Sequence, residues 1–389
     1  MGERVVGLST IELSLPEEKR LNNKKMTMAG RTFIQRFLRR GADAGCRYAI
    51  VETTSEGVVQ SRHRGIAYDV AVLTNLYPEH IESHGSFDAY KKAKIRFFHS
   101  VMRLPMKRID GVMAPRLFIA NAESPHTPDF LWGIEKYHAR CFLFSTVHAV
   151  VSCACCGEEI IWADDISPAP DGLSFTLFGQ SVQTRIVGRH NVYNILAAVS
   201  VLIGLGWQKK RVCAAVAALT QPPGRLERID EGQPFTVIVD YAFEPVAMQA
   251  LYAALAEWRP NRIIHVFGST GGGRDVARRF TVGAYVGAHA DVCIVTDEDP
   301  YDDDPLSIIN DVADAAAKTG KKDGETLFRI PDRKEAILRA FSLAQKGDVV
   351  LITGKGSEQA MIVKGKKIPW DDRTIAREFL MKKMYGSTS

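Results

Sequence analysis

The chain has 389 residues, 46% hydrophobic and 24% charged, with a formal net charge of +5. That length allows two domains and exceeds what a single hydrophobic core usually spans. The composition is that of a globular protein, and the mild positive charge admits anionic small molecules without the concentrated basic patch that nucleic acid demands.

At the start, Met-Gly-Glu-Arg lacks the apolar core of a signal peptide, and Gly2 is not followed by the Ser or Thr of a myristoylation signal. The longest apolar runs, such as Val199 to Leu205, fall short of the roughly 18–20 residues of a membrane span. A cytoplasmic, monomeric protein with no nucleic-acid or membrane partner is expected. Of the seven cysteines, Cys153, Cys155 and Cys156 lie close together, but no second pair follows at zinc-site spacing, so a structural or incidental role is expected.

Short apolar runs alternate with amphipathic stretches, the pattern of a mostly parallel sheet covered by helices. In the first half, Tyr48–Glu52, Val70–Thr74, Leu117–Asn121 and Cys141–Ser145 read as buried strands, and Ala29–Arg40 and Phe87–Val101 as helices. From about Val150 to Val187 residues alternate between turns, which predicts a small antiparallel insertion. His190 to Gly204 reads as a helix ended by Gly204 and Gly206. Pro222-Pro223-Gly224 is the predicted boundary, dividing the chain into 1–223 and 224–389. Beyond it, strands are expected at Thr236–Asp240, Ile263–Phe267, Val292–Thr296 and Val349–Thr353. Helices are expected at Pro245–Trp258, Val276–His289, Leu306–Ala317 and Arg333–Gln345. The fold class is therefore α/β with two domains, and polar signatures fall just after the strands, where open parallel sheets bind ligands.

Glu52-Thr53-Thr54-Ser55-Glu56 closes one strand with a carboxylate and hydroxyls. This suits Mg²⁺, which takes a few carboxylates plus water and phosphate oxygens, and it suits a helix N-cap equally well. Thr74 to His84 follows another strand and adds Glu79, His80 and His84, which tips the balance toward a metal-phosphate site. Tyr90-Lys91-Lys92-Ala93-Lys94 by itself reads as a solvated basic helix face. Asn191 and Asn194, three residues apart, put both amides on one side of their helix.

Taken in order, these segments resemble the Mur ligase family. Glu52 to Arg62 is similar to the family's magnesium and UDP-muramoyl segment, and Thr74 to His84 to its TNLxxDHLDxH motif, with Glu79 and Glu82 replacing aspartates. Gly188 to Ala198 resembles GxxNxxNxLAA, Gly224 to Glu227 GRxE, and Asp240-Tyr241-Ala242 DYAH. Gly268 to Asp275 resembles the GGxRD loop, and Gly354 to Glu358 GKGHE. The branch it looks most like adds the third residue of the cell-wall peptide.

The resemblance implies a central ATPase-type parallel sheet followed by a Rossmann-like ligase domain, with ATP and Mg²⁺ as cofactors. It implies UDP-N-acetylmuramoyl-dipeptide and a free amino acid as substrates, joined through an acyl phosphate. By the same resemblance Glu52, His80 and a carbamylated Lys94 hold magnesium, while Thr54, Gln60 and Arg62 hold the muramoyl-peptide. Asn191, Asn194, Arg225 and Asp240 contact the nucleotide, and Arg274, Glu298, Asp299, Gly354 and Glu358 the incoming amino acid. Without the family pattern, Arg225 reads as a boundary salt bridge and Lys355 as exposed.

Departures bear on what this chain does. The family's GxxGxGKT-T phosphate loop, with the strand that carries it, and its UDP-binding domain have no counterpart in these residues. A truncated gene model, a fragment or a partner that supplies them would each account for this, and the chain alone is expected to bind ATP poorly. Where diaminopimelate-adding enzymes carry DNPR, Glu298-Asp299-Pro300-Tyr301 stands, and further acids at Asp297 and Asp302 to Asp304 predict attraction of a cationic side chain such as lysine or another diamine. Phe243 and Ser357 replace the histidines of DYAH and GKGHE. A folylpolyglutamate- or cyanophycin-synthetase-like ligase and a degenerate, non-catalytic binding protein are the alternative readings.

Overall fold

The computed structural model describes residues 2–24, 26–78, 84–148, 159–273 and 276–385. The chain divides into two compact units, residues 1–220 and 221–389. The three clustered cysteines, Glu79, His80, Glu82, Arg274 and Asp275 lie outside the described residues.

The first unit holds two main sheets. One runs in the order β3 (Glu18–Leu21), β2 (Glu12–Leu15), β1 (Val5–Leu8), β4 (Tyr48–Val51). Strands β1 to β3 form an antiparallel meander, and β4 lies parallel to β1 with Tyr48 opposite Val5. Helix α1 (Arg31–Asp43) covers this sheet by burying Ile34 and Phe37 against Val6, Leu8, Leu13 and Leu15. The meander is absent from the sequence reading because its strands are only four residues long, and β2 and β3 are half polar or more.

The second sheet has the order β12 (Gln180–Thr184), β11 (Gly172–Leu177), β10 (Glu159–Ala169), β9 (Arg140–Ser145), β8 (Leu117–Asn121), β5 (Val70–Leu73). Strands β5, β8, β9 and β10 are parallel neighbours. The expected antiparallel insertion is present as β10 to β12 and is joined to the parallel sheet: β10 first pairs parallel to β9, then shifts register between Asp164 and Ser167 and continues antiparallel to β11. Every residue of β8 is buried, as befits a strand covered on both faces. Leu117 and Ile119 share a cluster with Val192, Ile195, Leu196 and Val199 of α5 (Asn191–Gly204). Phe118 and Ala120 share the opposite one with Phe97, Phe98, Val101 and Met102 of α3 (Phe87–Met102) and with Phe130 and Leu131 of α4 (Thr127–Leu131). The short α2 (Ser55–Val59) follows β4, capped by Thr54, whose hydroxyl accepts from the Gly57 N–H at 3.1 Å. A two-stranded hairpin, β6 (Arg108–Ile109) and β7 (Val112–Met113), and α6 (Lys209–Ala217) complete the unit.

Both β4 and β5 are edge strands, and both edges are apolar. Ala49 and Ile50 of β4 are exposed, Ile50 to 65%, and Val72 of β5 to 37%. Bare apolar edges template further strand pairing. The chain is therefore expected to associate with itself as its concentration rises, and Ile50→Lys is expected to suppress this. Sedimentation velocity across a dilution series checks it; a monomer at every concentration would sink the idea.

The second unit is built on one sheet in the order β13 (Glu227–Ile229), β14 (Thr236–Val239), β18 (Val349–Ile352), β15 (Ile263–Phe267), β16 (Val292–Val295), β17 (Leu327–Arg329). All neighbours are parallel except β13, which runs antiparallel to β14. Its helices are α7 (Pro245–Glu257), α8 (Val276–His289), α9 (Pro305–Ala317), α10 (Arg333–Leu343) and α11 (Asp372–Tyr385). A hairpin of β19 (Ala360–Val363) and β20 (Lys366–Pro369) precedes α11. The four strands and four helices expected from periodicity are present with ends shifted by a residue or two, while the three-residue β13 and β17 lie below what periodicity resolves.

Candidate functional site

In the first unit, polar groups collect at the carboxyl ends of β4, β5, β8 and β9. Just past β4, the Glu52 carboxylate accepts from the Thr10 N–H at 2.7 Å and the Thr10 hydroxyl at 2.9 Å. Asn121 at the end of β8 donates its amide to the Asn75 side chain beyond β5 at 2.8 Å and accepts from the Glu123 N–H. Glu123 is the hub of this end. It accepts from the Ser145 hydroxyl at 2.8 Å, the Thr146 N–H at 2.7 Å, the Thr146 hydroxyl at 3.1 Å and the Tyr193 hydroxyl at 2.7 Å. Burial pushes its carboxyl up, but these donors outweigh it and hold the group below the usual range. The sequence reading missed Glu123; the available signal was an acid two residues beyond a fully buried strand of four apolar residues and Asn121.

Among the residues expected in this half, the structure brings several into their own local networks. Asn194 donates its amide to the Asn191 side chain at 2.8 Å, and Asn191 donates to the Val187 carbonyl, so the two amides do meet on one side of α5. On α3, the Lys94 ammonium lies 4.8 Å from the centre of the buried Tyr90 ring and is half-buried, not on a solvated face. His84 packs on the same ring and bonds the Ser55 hydroxyl at 3.0 Å. Thr54 and Gln60 cap the two ends of α2. Arg62 donates to the Met28 carbonyl and so tethers the segment that precedes α1. Among the described residues no group of three His, Cys, Asp or Glu is arranged to hold a metal ion.

In the second unit the loops after β14, β15, β16 and β18 interlock. Gly224 has φ +62, and a Cβ there would lie 2.1 Å from the Ser357 nitrogen, so only glycine lets these two segments touch. The Asp240 carboxylate accepts from Leu226 N–H at 2.6 Å and Ala242 N–H at 2.7 Å. Arg225 is no salt bridge among the described residues; its guanidinium lies 4.4 Å from the Tyr241 ring centre. Phe243 carries Arg278 in the same way at 5.0 Å, and Arg278 also bonds Glu244 and Thr270.

Lys355 is wholly buried, contrary to the exposed residue expected, and its ammonium bridges Asp299 at 3.0 Å and Glu358 at 2.7 Å. Asp299 accepts from the Ile362 N–H as well, so Lys355 locks the loop after β16 to the loop after β18. Glu298 is 4% exposed, and burial raises its carboxyl pKa against the opposing pull of Arg333, Lys355 and Arg278. It presses on Gly354, where φ is +99 and a Cβ would stand 2.2 Å from its Oε2. The acidic run is not the open anionic patch its composition suggests. Asp299 pairs with Lys355, Asp303 with Arg279, and Asp304 caps α9 through the Leu306 and Ser307 N–H groups.

Beneath these loops His265 is fully buried in β15, with Nδ1 2.9 Å from the Tyr252 hydroxyl and Nε2 2.9 Å from the Thr353 hydroxyl. Burial, helped by Arg333, pulls its pKa down to about 3, so the ring is neutral. Arg333 is equally buried and forks onto Asp372 at 2.8 and 2.7 Å, with further bonds to the carbonyls of Thr353 and Asp297. Neither residue was singled out from sequence.

Two α/β units with polar loops gathered at the carboxyl ends of parallel strands match the build of ATP-dependent, amide-bond-forming ligases. Residues 4–202 match the Mur ligase middle domain and residues 224–356 the Mur ligase, glutamate ligase domain. The chain belongs to the Mur ligase family. It is 36% identical over 396 residues to the UDP-N-acetylmuramyl-tripeptide synthetase of Roseiflexus sp. (strain RS-1), covering 99% of this chain and 75% of that protein. The protein of the same name from Treponema denticola is 33% identical over 394 residues, covering 98% and 71%. A solved UDP-N-acetylmuramoyl-L-alanyl-D-glutamate--2,6-diaminopimelate ligase superposes with a TM-score of 0.62 at 25% identity, covering 98% of this chain and 74% of that one. Folylpolyglutamate synthase of Mycobacterium tuberculosis shares the fold with a TM-score of 0.62 at 18% identity, covering 91% and 82%. Among the described residues no helix is long and apolar enough to cross a membrane.

Proposed function

We propose that this chain carries the muramoyl-peptide and amino-acid sites of a ligase that adds the third residue to UDP-N-acetylmuramoyl-dipeptide. The observation that carries this reading is the 36% identity, along 99% of the chain, to a tripeptide synthetase. In the proposed reaction ATP phosphorylates the terminal carboxylate of the dipeptide, the amine of the incoming amino acid attacks the acyl phosphate, and phosphate leaves. Mg²⁺ supplies neutralisation of the converging anions. Glu52, a hard oxygen donor already oriented by Thr10, fits that ion, with His80 and a carbamylated Lys94 as its companions in this reading. Thr54, Gln60 and Arg62 face the muramoyl-peptide. Arg225, Asp240, Asn191 and Asn194 serve the nucleotide, and Arg274, Glu298, Asp299, Gly354 and Glu358 the amino acid.

Turnover also needs a glycine-rich phosphate loop, which none of the 389 residues forms. The free edges of β4 and β5 support its arrival on an additional strand, whether from the same polypeptide or a partner. For the added amino acid, Tyr301 in place of an arginine removes a grip on a distal carboxylate, which typically contributes about 1.5–3 kcal/mol. With Asp299, Asp303 and Asp304 already engaged, Asp297, Glu298 and Asp302 are the acids of this run left to favour lysine or another diamine.

Calorimetry with UDP-N-acetylmuramoyl-dipeptide, with and without Mg²⁺-ATP, tests the reading. Binding without ATP is expected, followed by ligation once a phosphate loop is supplied; no binding to the peptide would remove the reading for this chain. In the restored enzyme, diaminopimelate is expected to release no phosphate, and strong turnover with it would rule out the diamine preference.

A further inference from the structure

A cavity in the first unit lies between α2, the turn that follows it and the second half of α3. It holds about 240 Å³ and is walled by Val58, Ile66 and Leu104, with polar groups from His63, Arg64, Arg96 and Tyr68. Among the described residues no carboxylate lines it. Neither Arg64 nor Arg96 has an ion-pair partner among the described residues; Arg96 bonds only the Val58 carbonyl, at 3.0 Å. His63 is 8% exposed, its ring set edge-on to Phe97 at 5.9 Å, and its Nδ1 is buried with no hydrogen-bond partner among the described residues.

We propose that this cavity is a binding site for a small tetrahedral oxyanion of the phosphate or sulfate type, held between the Arg64 and Arg96 guanidiniums beside the His63 ring. Guanidinium forks match the oxygens of such anions, and unpaired arginines around a carboxylate-free cavity leave the charge unbalanced until one enters. In the empty cavity His63 is neutral. Burial holds its pKa below 6.5, the Gly57 backbone bond opposes this, and Arg64 and Arg96, the charged groups acting on it from the turn and from α3, lower it further. An anion reverses that field, so binding favours uptake of a proton by the His63 imidazole, and affinity falls as pH rises.

None of the residues that line the cavity is among those given to the ligase sites above, although Ser61 and His63 flank Arg62 in sequence. Arg62, though adjacent in sequence, turns away to Met28.

The test is calorimetric titration of the whole chain with sodium sulfate, at ionic strength matched with sodium chloride. Sulfate keeps its charge over the working range, so any pH dependence belongs to the protein. Saturable binding is expected, about threefold or more weaker at about pH 8 than at about pH 6. The pair Arg64→Gln with Arg96→Gln, both exposed and replaceable without unfolding, is expected to weaken it at least about tenfold. His63→Phe, which keeps the ring packing, is expected to remove the pH dependence. Titration with inorganic phosphate and with glycerol phosphate separates the sources: tighter binding of the ester assigns a phosphorylated metabolite, tighter binding of phosphate the free anion. No saturable sulfate binding by the unmodified chain, or binding unchanged in the arginine pair, overturns the proposal.

Discussion

Replacing Arg333 with Met is expected to destabilise the second unit by about 3–5 kcal/mol, the usual cost of breaking a buried ion pair from one side. Both side chains of the Arg333–Asp372 pair are completely buried, and the fork is closed by two bonds of 2.8 and 2.7 Å. Met fills most of the space, so the loss is not a cavity effect. What remains is a buried Asp372 held by the Trp370 indole N–H at 2.8 Å, and two carbonyls, of Thr353 and Asp297, without their donor. Lys cannot replace the fork, because an ammonium cannot meet two carboxylate oxygens and two carbonyls in one plane. Adding Asp372→Leu to Arg333→Met should recover most of the loss, since removing both charges also removes their desolvation cost. Urea denaturation of the three variants measures this. A single-variant loss below about 1 kcal/mol would show that the pair is not the clamp described.

Acid is expected to unfold the second unit from within through His265. Its folded pKa, about 3, lies below the ordinary 6.5, so the unfolded chain binds the proton more readily. The His265 contribution is therefore fully present above pH 6.5 and is lost progressively as pH falls toward about 3. Between pH 6.5 and about 5 most carboxylates are still ionised, which isolates the imidazole. His63 and His99 in the first unit shift in the same direction, so the His265→Gln variant is needed to separate them. That variant should be less stable near neutrality, having lost bonds to Tyr252 and Thr353, yet show a flatter dependence on pH in that window. Equal slopes for variant and parent would mean that the ring is not carrying the proton linkage.

The parallel strands could be read from sequence because β8, β14, β15, β16 and β18 are buried almost throughout, and runs such as Val292–Val295 have no polar alternative. The meander of β1 to β3 could not, since Glu18–Leu21 carries three polar residues and is held by its neighbour, not by its own pattern. Asn191 and Asn194 were legible because helical spacing alone puts them together. Glu123, His265 and Arg333 were not, because each gains its meaning from partners between 13 and 88 residues away in sequence. The acidic stretch from Asp297 to Asp304 shows the same limit from the other side. Its charge count was plain, but the arginine, lysine and helix end that absorb it come from other elements.

The order of strands in the second unit also sets when it can form. β14 sits beside β13 and β18, and its parallel partner, with Thr236 opposite Val349, emerges roughly a hundred residues later. β15 likewise has β18 on one side. At about 5–20 residues per second of synthesis, the apolar edges of β14 and β15 wait several seconds on the ribosome for the strand that joins them. The centre of this sheet is the last of its strands to be made, so the unit closes in one late step, and a ribosome stalled before Val349 leaves both halves open to chaperones and proteases.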